Sequence, residues 1–208
     1  MAEARTKPDV GRREILDAAA AEFARSGYGA TTIDAIAERM GATKGRVYHY
    51  YRAKSEIFAD IVSAGMRELI DQIAPIAASE DVSSLDRLWR MAHHHAALMM
   101  TRNSYQRVAI QSVEMVRQHG AAAWLADTIA LRDAYEQLFA DAIADGIADG
   151  YLRDVDPRQA TKPVLGALNW ITVWYDPERD SADGTAAINR VADMYADFVV
   201  NGLRRMRS

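Results

Sequence analysis

The chain reads as an all-α protein of about nine helices, and two observations carry that expectation. Apolar residues recur three and four apart through most of the 208 residues, and no segment of any length alternates polar with apolar as a strand would. Residues that start and stop helices punctuate those segments, among them Gly41, Gly120, Asp156-Pro157 and Asp176-Pro177.

The elements follow in order. A first helix over residues 12–25 turns Ile15, Ala19 and Phe23 inward and stops before Gly27. Thr31 with Asp34 forms a capping box for the second helix. Ala37 is the small residue that two steeply crossing helices need, and Gly41 takes the left-handed turn one helical turn later. Thr43 caps the third helix, and Ile33, Ile36, Met40 and Val47 close the corner. This is a helix-turn-helix. The fourth helix opens near Lys54, carries Ile57, Ile61 and Leu69, and is bent or ended by Pro75. Helices over 85–101, 105–118 and 121–150 come next, the last with the stripe Leu131, Tyr135, Leu138, Ala142 and Ile143. Asp156 followed by Pro157 starts a helix that runs to 175, and a final helix covers 183–206. With no repeat or linker in view, two domains are expected, 1–54 and 55–208, joined rigidly through the fourth helix.

Charge points the first domain at nucleic acid. The third helix and its exit carry Lys44, Arg46, Arg52 and Lys54, and no carboxylate stands between Glu38 and Glu56. A wet helix face would ordinarily mix both signs, so this one suits phosphates. Residues 1–55 hold ten Lys/Arg against seven Asp/Glu, and residues 56–208 the other fifteen against twenty-two. A basic head with an acidic body brings only the head to DNA.

Several function classes drop out. The absence of cysteine removes disulfides, thiolate metal sites and thiol sensing. Residues 1–14 lack the apolar run of a signal peptide, and the longest uncharged apolar stretch, 164–175, is far short of the roughly 20 residues of a bilayer span, so a cytoplasmic protein is expected. No phosphate loop, nucleophile elbow or zinc-ligand helix is present, so neither an enzyme nor a cofactor is expected. The rival from that class is a metal-dependent hydrolase using the run His93-His94-His95 with Glu114. Neighbours on a helix stand about 100° apart, so those three imidazoles cannot share one ion, and no metal is expected.

Residues 12–58 resemble the DNA-binding domain of the tetracycline-repressor-like (TetR) family of bacterial transcription regulators. The segments that carry the likeness are the first helix ending in Gly-Tyr-Gly, Thr31-Thr32, Ile36-Ala37, Met40-Gly41, the Gly-x-x-Tyr-x-Tyr-Tyr run of residues 45–51, and Lys54-Ser55-Glu56. By position, the resemblance implies that Lys44 and Arg46 reach base edges or nearby phosphates, with guanine the natural partner of Arg46. It implies close backbone approach at Gly45, and phosphate contacts from Thr32, Thr43, Tyr48, Tyr50 and Lys54 that fix register. His49 joins the DNA-facing set, and Tyr51 takes an aromatic core position. Where the family usually has Ser or Asn before the lysine that opens helix four, this chain has Ala53. A lost cap costs about 1 kcal/mol, so that helix is expected to fray slightly or cap on Ser55.

The resemblance also implies a homodimer on a pseudo-palindromic operator, with the last two helices of each subunit forming a four-helix bundle. Leu165 and Leu168 on one helix, and Ile188, Val191, Tyr195, Phe198 and Val199 on the other, are the expected interface. A small-molecule effector is expected in a pocket among helices four to eight, lined by Met91, His95, Met99, Ile110, Val113, Glu114, Trp124 and Trp170. Trp170 and Trp174 stand one turn apart and suit interface packing as well. The segment Asn169-Trp170-Ile171-Thr172-Val173-Trp174-Tyr175-Asp176-Pro177 is similar to one in a branch of the family that governs catabolism of fatty acids, aromatic acids and steroid side chains. Members of that branch often release DNA on binding an acyl-CoA thioester. The expected function is therefore a repressor released by a small hydrophobic or acyl-CoA-type effector, the alternative being a drug-efflux regulator that answers cationic or lipophilic compounds.

Overall fold

The computed structural model describes the backbone of residues 7–119, 123–176, 179 and 184–205. The helices are α1 Lys7–Ala30, α2 Ile33–Arg39, α3 Lys44–Tyr50, α4 Lys54–Ala77, α5 Ser84–Thr101, α6 Asn103–His119, α7 Ala123–Ala148, α8 Pro157–Asn169, α9 Ile171–Trp174 and α10 Gly184–Leu203. Among the described residues the one β feature is an isolated bridge between Leu152 and Arg204. The helix expected over 157–175 is broken at Trp170, and Gly120 lies outside the described residues. Two compact units emerge, Met1–Gly65 with Ser104–Thr128, and Met66–Asn103 with Ile129–Ser208.

In the first unit, Ile15, Ala19 and Phe23 of α1 are fully buried with Ile36, Val47, Ile57, Phe58 and Ile61. Phe23, Tyr28 and Phe58 pack ring on ring, with centroids 5.0–5.7 Å apart. The corner differs from expectation by one residue. Thr32, not Thr31, caps α2, accepting from the Ala35 N–H at 3.1 Å, while Thr31 is buried and donates to the Gly27 carbonyl at 2.8 Å. Gly27 (φ 76°, ψ 163°) breaks α1 before its last residues, in a region of backbone space that side chains exclude. Gly41 takes the left-handed turn at φ 62°, as expected.

Polar ties then fix the helices. Glu22 on α1 is buried and accepts from Arg39 of α2 and Arg25 of α1, each at 2.6 Å. Those two guanidinium groups, Arg39 first, hold its carboxyl below the usual range. Tyr51 is buried, receives Arg12 Nε at 2.9 Å and donates to Asp60 at 2.8 Å, so it is structural. At the α4 start the Glu56 carboxylate reaches back to the Arg52 N–H at 2.8 Å. The sequence did not suggest that α6 belongs with this unit. There Tyr105 donates to Asp17 of α1 at 2.6 Å, and Gln106 reaches the Gly65 carbonyl of α4 at 3.4 Å.

The second unit is built on α5 lying along α10. Two polar rungs join them: Trp89 Nε1 to Asp197 at 2.7 Å, and His93 Nε2 to Asp193 at 3.3 Å. Ser83 caps α5 and Asp156 caps α8, the latter accepting from the Gln159 N–H at 2.8 Å. Tyr135, Phe139 and Ile143 of α7 line the core with Met91 and Met99 of α5 and Leu168 of α8.

Candidate nucleic-acid interface

The corner built by α2 and α3 buries Val47, half-buries Tyr50 and turns the other side chains of α3 outward. Lys44, Gly45, Arg46, Tyr48 and His49 are exposed, Tyr48 by 53%. Thr32 and Thr43 flank the same face; Thr43 sits at the N-cap of α3 without making a side-chain cap bond, which leaves its hydroxyl free for an outside acceptor. A seven-residue helix held by Val47 and Tyr50, presenting two cations, an aromatic hydroxyl and an imidazole, can enter a major groove and set donors against phosphates and base edges.

Two of the expected contacts are engaged elsewhere. Lys54 Nζ donates to the carbonyls of Tyr28 at 2.5 Å, Thr31 at 2.7 Å and Gly29 at 3.4 Å, and sits 4.4 Å from the Tyr28 ring centroid. Partial burial lowers its pKa. An ammonium with all three donors committed closes the end of α1, which gives Lys54 a structural role apart from the phosphate contact expected of it. Tyr50 is half-buried against α1: a Cβ at Gly11 would stand 2.3 Å from its hydroxyl, and His49 meets its ring edge-on at 5.0 Å. It packs α3 on α1.

The tertiary structure also brings in carboxylates that the linear reading placed elsewhere. Glu14 of α1 pairs with Arg46, and Asp34 of α2 stands 3.6 Å from Lys44. Asp34 was expected in a capping box. Glu14 carried no signal at all, since it is an ordinary charged position on α1 until the fold sets it beside α3.

The expected effector residues separate. Met91, His95 and Met99 are buried together on α5, and Ile110 is partly buried on α6. The side chains of Val113, Glu114 and Trp124 lie outside the described residues. Trp170 is 60% exposed at the α8–α9 break. His95 occupies the polar centre, accepting from the Tyr135 hydroxyl at 2.6 Å through Nδ1 and donating to Asn169 Oδ1 at 3.1 Å through Nε2. Complete burial lowers its pKa to about 4, so the imidazole is neutral, and the same burial raises that of Tyr135. The three histidines face three ways: His93 to Asp193, His94 to Gln72, His95 inward. No group of acidic or histidine side chains fit to hold a metal occurs among the described residues. Surface clefts of about 400 Å³, lined by Trp89, Arg90, His93 and His94, and about 350 Å³, lined by Asp133, Glu136, Arg158 and Lys162, contain none of the expected pocket residues.

The expected interface residues also divide. Leu165, Leu168 and Val199 are buried within the second unit, and Ile188, Val191 and Tyr195 are partly covered. Phe198 is 72% exposed and is joined by Met194, Val173, Trp174 and Trp170. Trp174 stacks on Tyr195 at 6.3 Å and donates to its hydroxyl at 3.0 Å, which ties α9 to α10. Met194, one turn before Phe198, was the signal passed over. No helix among the described residues is long and apolar enough to cross a membrane.

Comparison with known proteins agrees with the corner and extends beyond it. Residues 15–61 match the family model described as bacterial regulatory proteins, tetR family, and residues 81–203 match that for the tetracyclin repressor-like C-terminal domain. The chain is 26% identical over 203 residues, 93% of each chain, to the HTH-type transcriptional repressor KstR2 of Mycobacterium tuberculosis strain H37Rv. Its fold is similar to the structure of the ketosteroid transcriptional regulator KstR2 of M. tuberculosis (TM-score 0.81, 21% identity, 99% of this chain and 98% of that one). It is also similar to AibR solved with isovaleryl coenzyme A and operator DNA (TM-score 0.72, 23% identity, 90% and 97%).

Proposed function

The chain belongs to the tetracycline-repressor-like family of bacterial regulators, and on that premise we propose that it is a cytoplasmic homodimeric repressor released from its operator by an acyl-CoA-type or similarly hydrophobic effector. It is a DNA-binding transcription regulator, and its relatives are regulators rather than enzymes. The observation that carries the reading is the exposed face of α3, where Lys44, Arg46, Tyr48 and His49 stand out from a helix anchored by Val47. The domain division at residue 54 goes with it, with residues 1–54 reading DNA and 55–208 sensing and pairing.

The effector class is supported by the segment Asn169–Pro177, and by similarity over 93% of the chain to the repressor KstR2, whose solved structure is that of a ketosteroid transcriptional regulator. The exposed apolar strip Trp170, Val173, Trp174, Met194 and Phe198 supports pairing of two copies through α8–α10. Dimeric helix-turn-helix proteins read half-sites about 34 Å apart, so an effector that changes the separation of two α3 helices weakens binding. A tenfold change needs only about 1.4 kcal/mol of coupling.

A thermal-shift screen against acyl-CoA thioesters, the matching free acids, steroid acids and cationic drugs tests the effector. A ligand at 100 times its Kd adds about 2.7 kcal/mol, a shift of several degrees. Stabilisation by thioesters and not by free acids is expected; stabilisation by cationic drugs alone would instead make this an efflux regulator.

A further inference from the structure

We propose that Glu14 is a specificity-determining residue of the DNA-binding face, acting through Arg46. The inference rests on the DNA-reading role of α3. The stretch from residue 39 to residue 55 contains no carboxylate, yet the folded face holds two, because α1 and α2 each deliver one beside a cation of α3. Glu14 Oε2 pairs with Arg46 Nη2, and Asp34 Oδ1 lies 3.6 Å from Lys44 Nζ. Both pairs are exposed, with Arg46 and Glu14 each close to half accessible. An exposed ion pair contributes little to stability, so folding gives no strong reason for a negative charge there.

Its position has a consequence for recognition. A free arginine samples many rotamers, whereas one tethered through Nη2 to a carboxylate samples fewer, which narrows the directions in which its remaining N–H groups point, and discrimination of a guanine depends on those directions. A carboxylate on a DNA-facing surface also repels every phosphate alike. On a random duplex Glu14 therefore only weakens binding. On the operator, Arg46 engages a base edge while its other edge stays on Glu14, and the repulsion is offset. The carboxylate thus raises the ratio of specific to non-specific affinity. Lys44 stands farther from Asp34, at 3.6 Å, and its compact ammonium has no planar fork for a carboxylate to orient.

The test uses the full-length protein and a duplex selected by it from a random pool. Affinities for that duplex and for a random-sequence duplex are measured by fluorescence anisotropy for the wild type, Glu14→Gln, Glu14→Asp, Arg46→Ala and the double variant Glu14→Gln/Arg46→Ala. Expected for Glu14→Gln is tighter binding to the random duplex and a loss of about fivefold or more in the specificity ratio, within the range that one bidentate arginine contact controls. Glu14→Asp keeps part of that ratio, and in the Arg46→Ala background the Glu14 change alters both duplexes equally. Equal tightening on both duplexes by Glu14→Gln alone would overturn the proposal, as would a fall in ratio that persists without Arg46. A wild type that selects no sequence at all would instead overturn the DNA-reading role beneath it.

Discussion

The Lys54 ammonium lies 2.5–3.4 Å from three carbonyls that end α1, and this geometry sets what its loss would do. Lys54→Met leaves those acceptors unpaired, a cost of about 1–3 kcal/mol. The expected outcome is a lower melting temperature with little change in the salt dependence of DNA binding, which a thermal melt and a salt titration check together. Lys44→Ala should do the opposite, keeping the melting temperature and losing discrimination between operator variants. His95 gives a pH dependence. Its folded pKa of about 4 lies below the ordinary histidine value of 6.5, so the unfolded chain binds the extra proton between those values. The stability contribution is complete above pH 6.5 and is lost as pH falls towards 4. Melting temperature should therefore drop between pH 7 and 5, and His95→Phe should flatten that slope; an equal slope in the variant would remove His95 as its source.

Among the elements, Gly27 and the α8–α9 break show where local sequence ends as a guide. Gly27 sits at φ 76°, ψ 163°, with nothing within 4 Å of an added Cβ, so Gly27→Ala costs backbone strain alone, about 1–3 kcal/mol, read from the urea midpoint. Helix existence was legible almost throughout because the start and stop signals are local: Asp156 and Gly41 act on residues within one turn of themselves. The exposed face of α3 was legible for the same reason, since α3 is seven consecutive residues. What escaped was decided by distant partners. Thr31 yields the α2 cap to Thr32 because the carbonyls of Gly27 and Glu22 claim its hydroxyl, and Lys54 turns away from solvent because α1 ends beside it. Glu14 and Trp170 follow the same logic. A charge on α1 and a tryptophan in a helical stripe acquire their surroundings only when other helices arrive, and periodicity alone gives Trp170 no sign of 60% exposure.

Across the whole molecule, charge and apolar surface separate by task. The net charge of −4 is carried by residues after 55, while the chain up to that point is net basic, so binding to DNA should weaken steeply with salt although the protein is acidic overall. On the proposed pairing through α8–α10, which the exposed Phe198 supports, Phe198→Glu should convert a dimer to monomers in sedimentation equilibrium and weaken operator binding with them. The most direct test of the central claim is an anisotropy titration of the protein on its selected duplex and on a random duplex, each with and without acyl-CoA thioesters. A regulator of this kind binds the selected duplex about a thousandfold or more tighter, and a thioester lowers that affinity at least about tenfold. Equal affinity for both duplexes, unmoved by every thioester, would contradict the account.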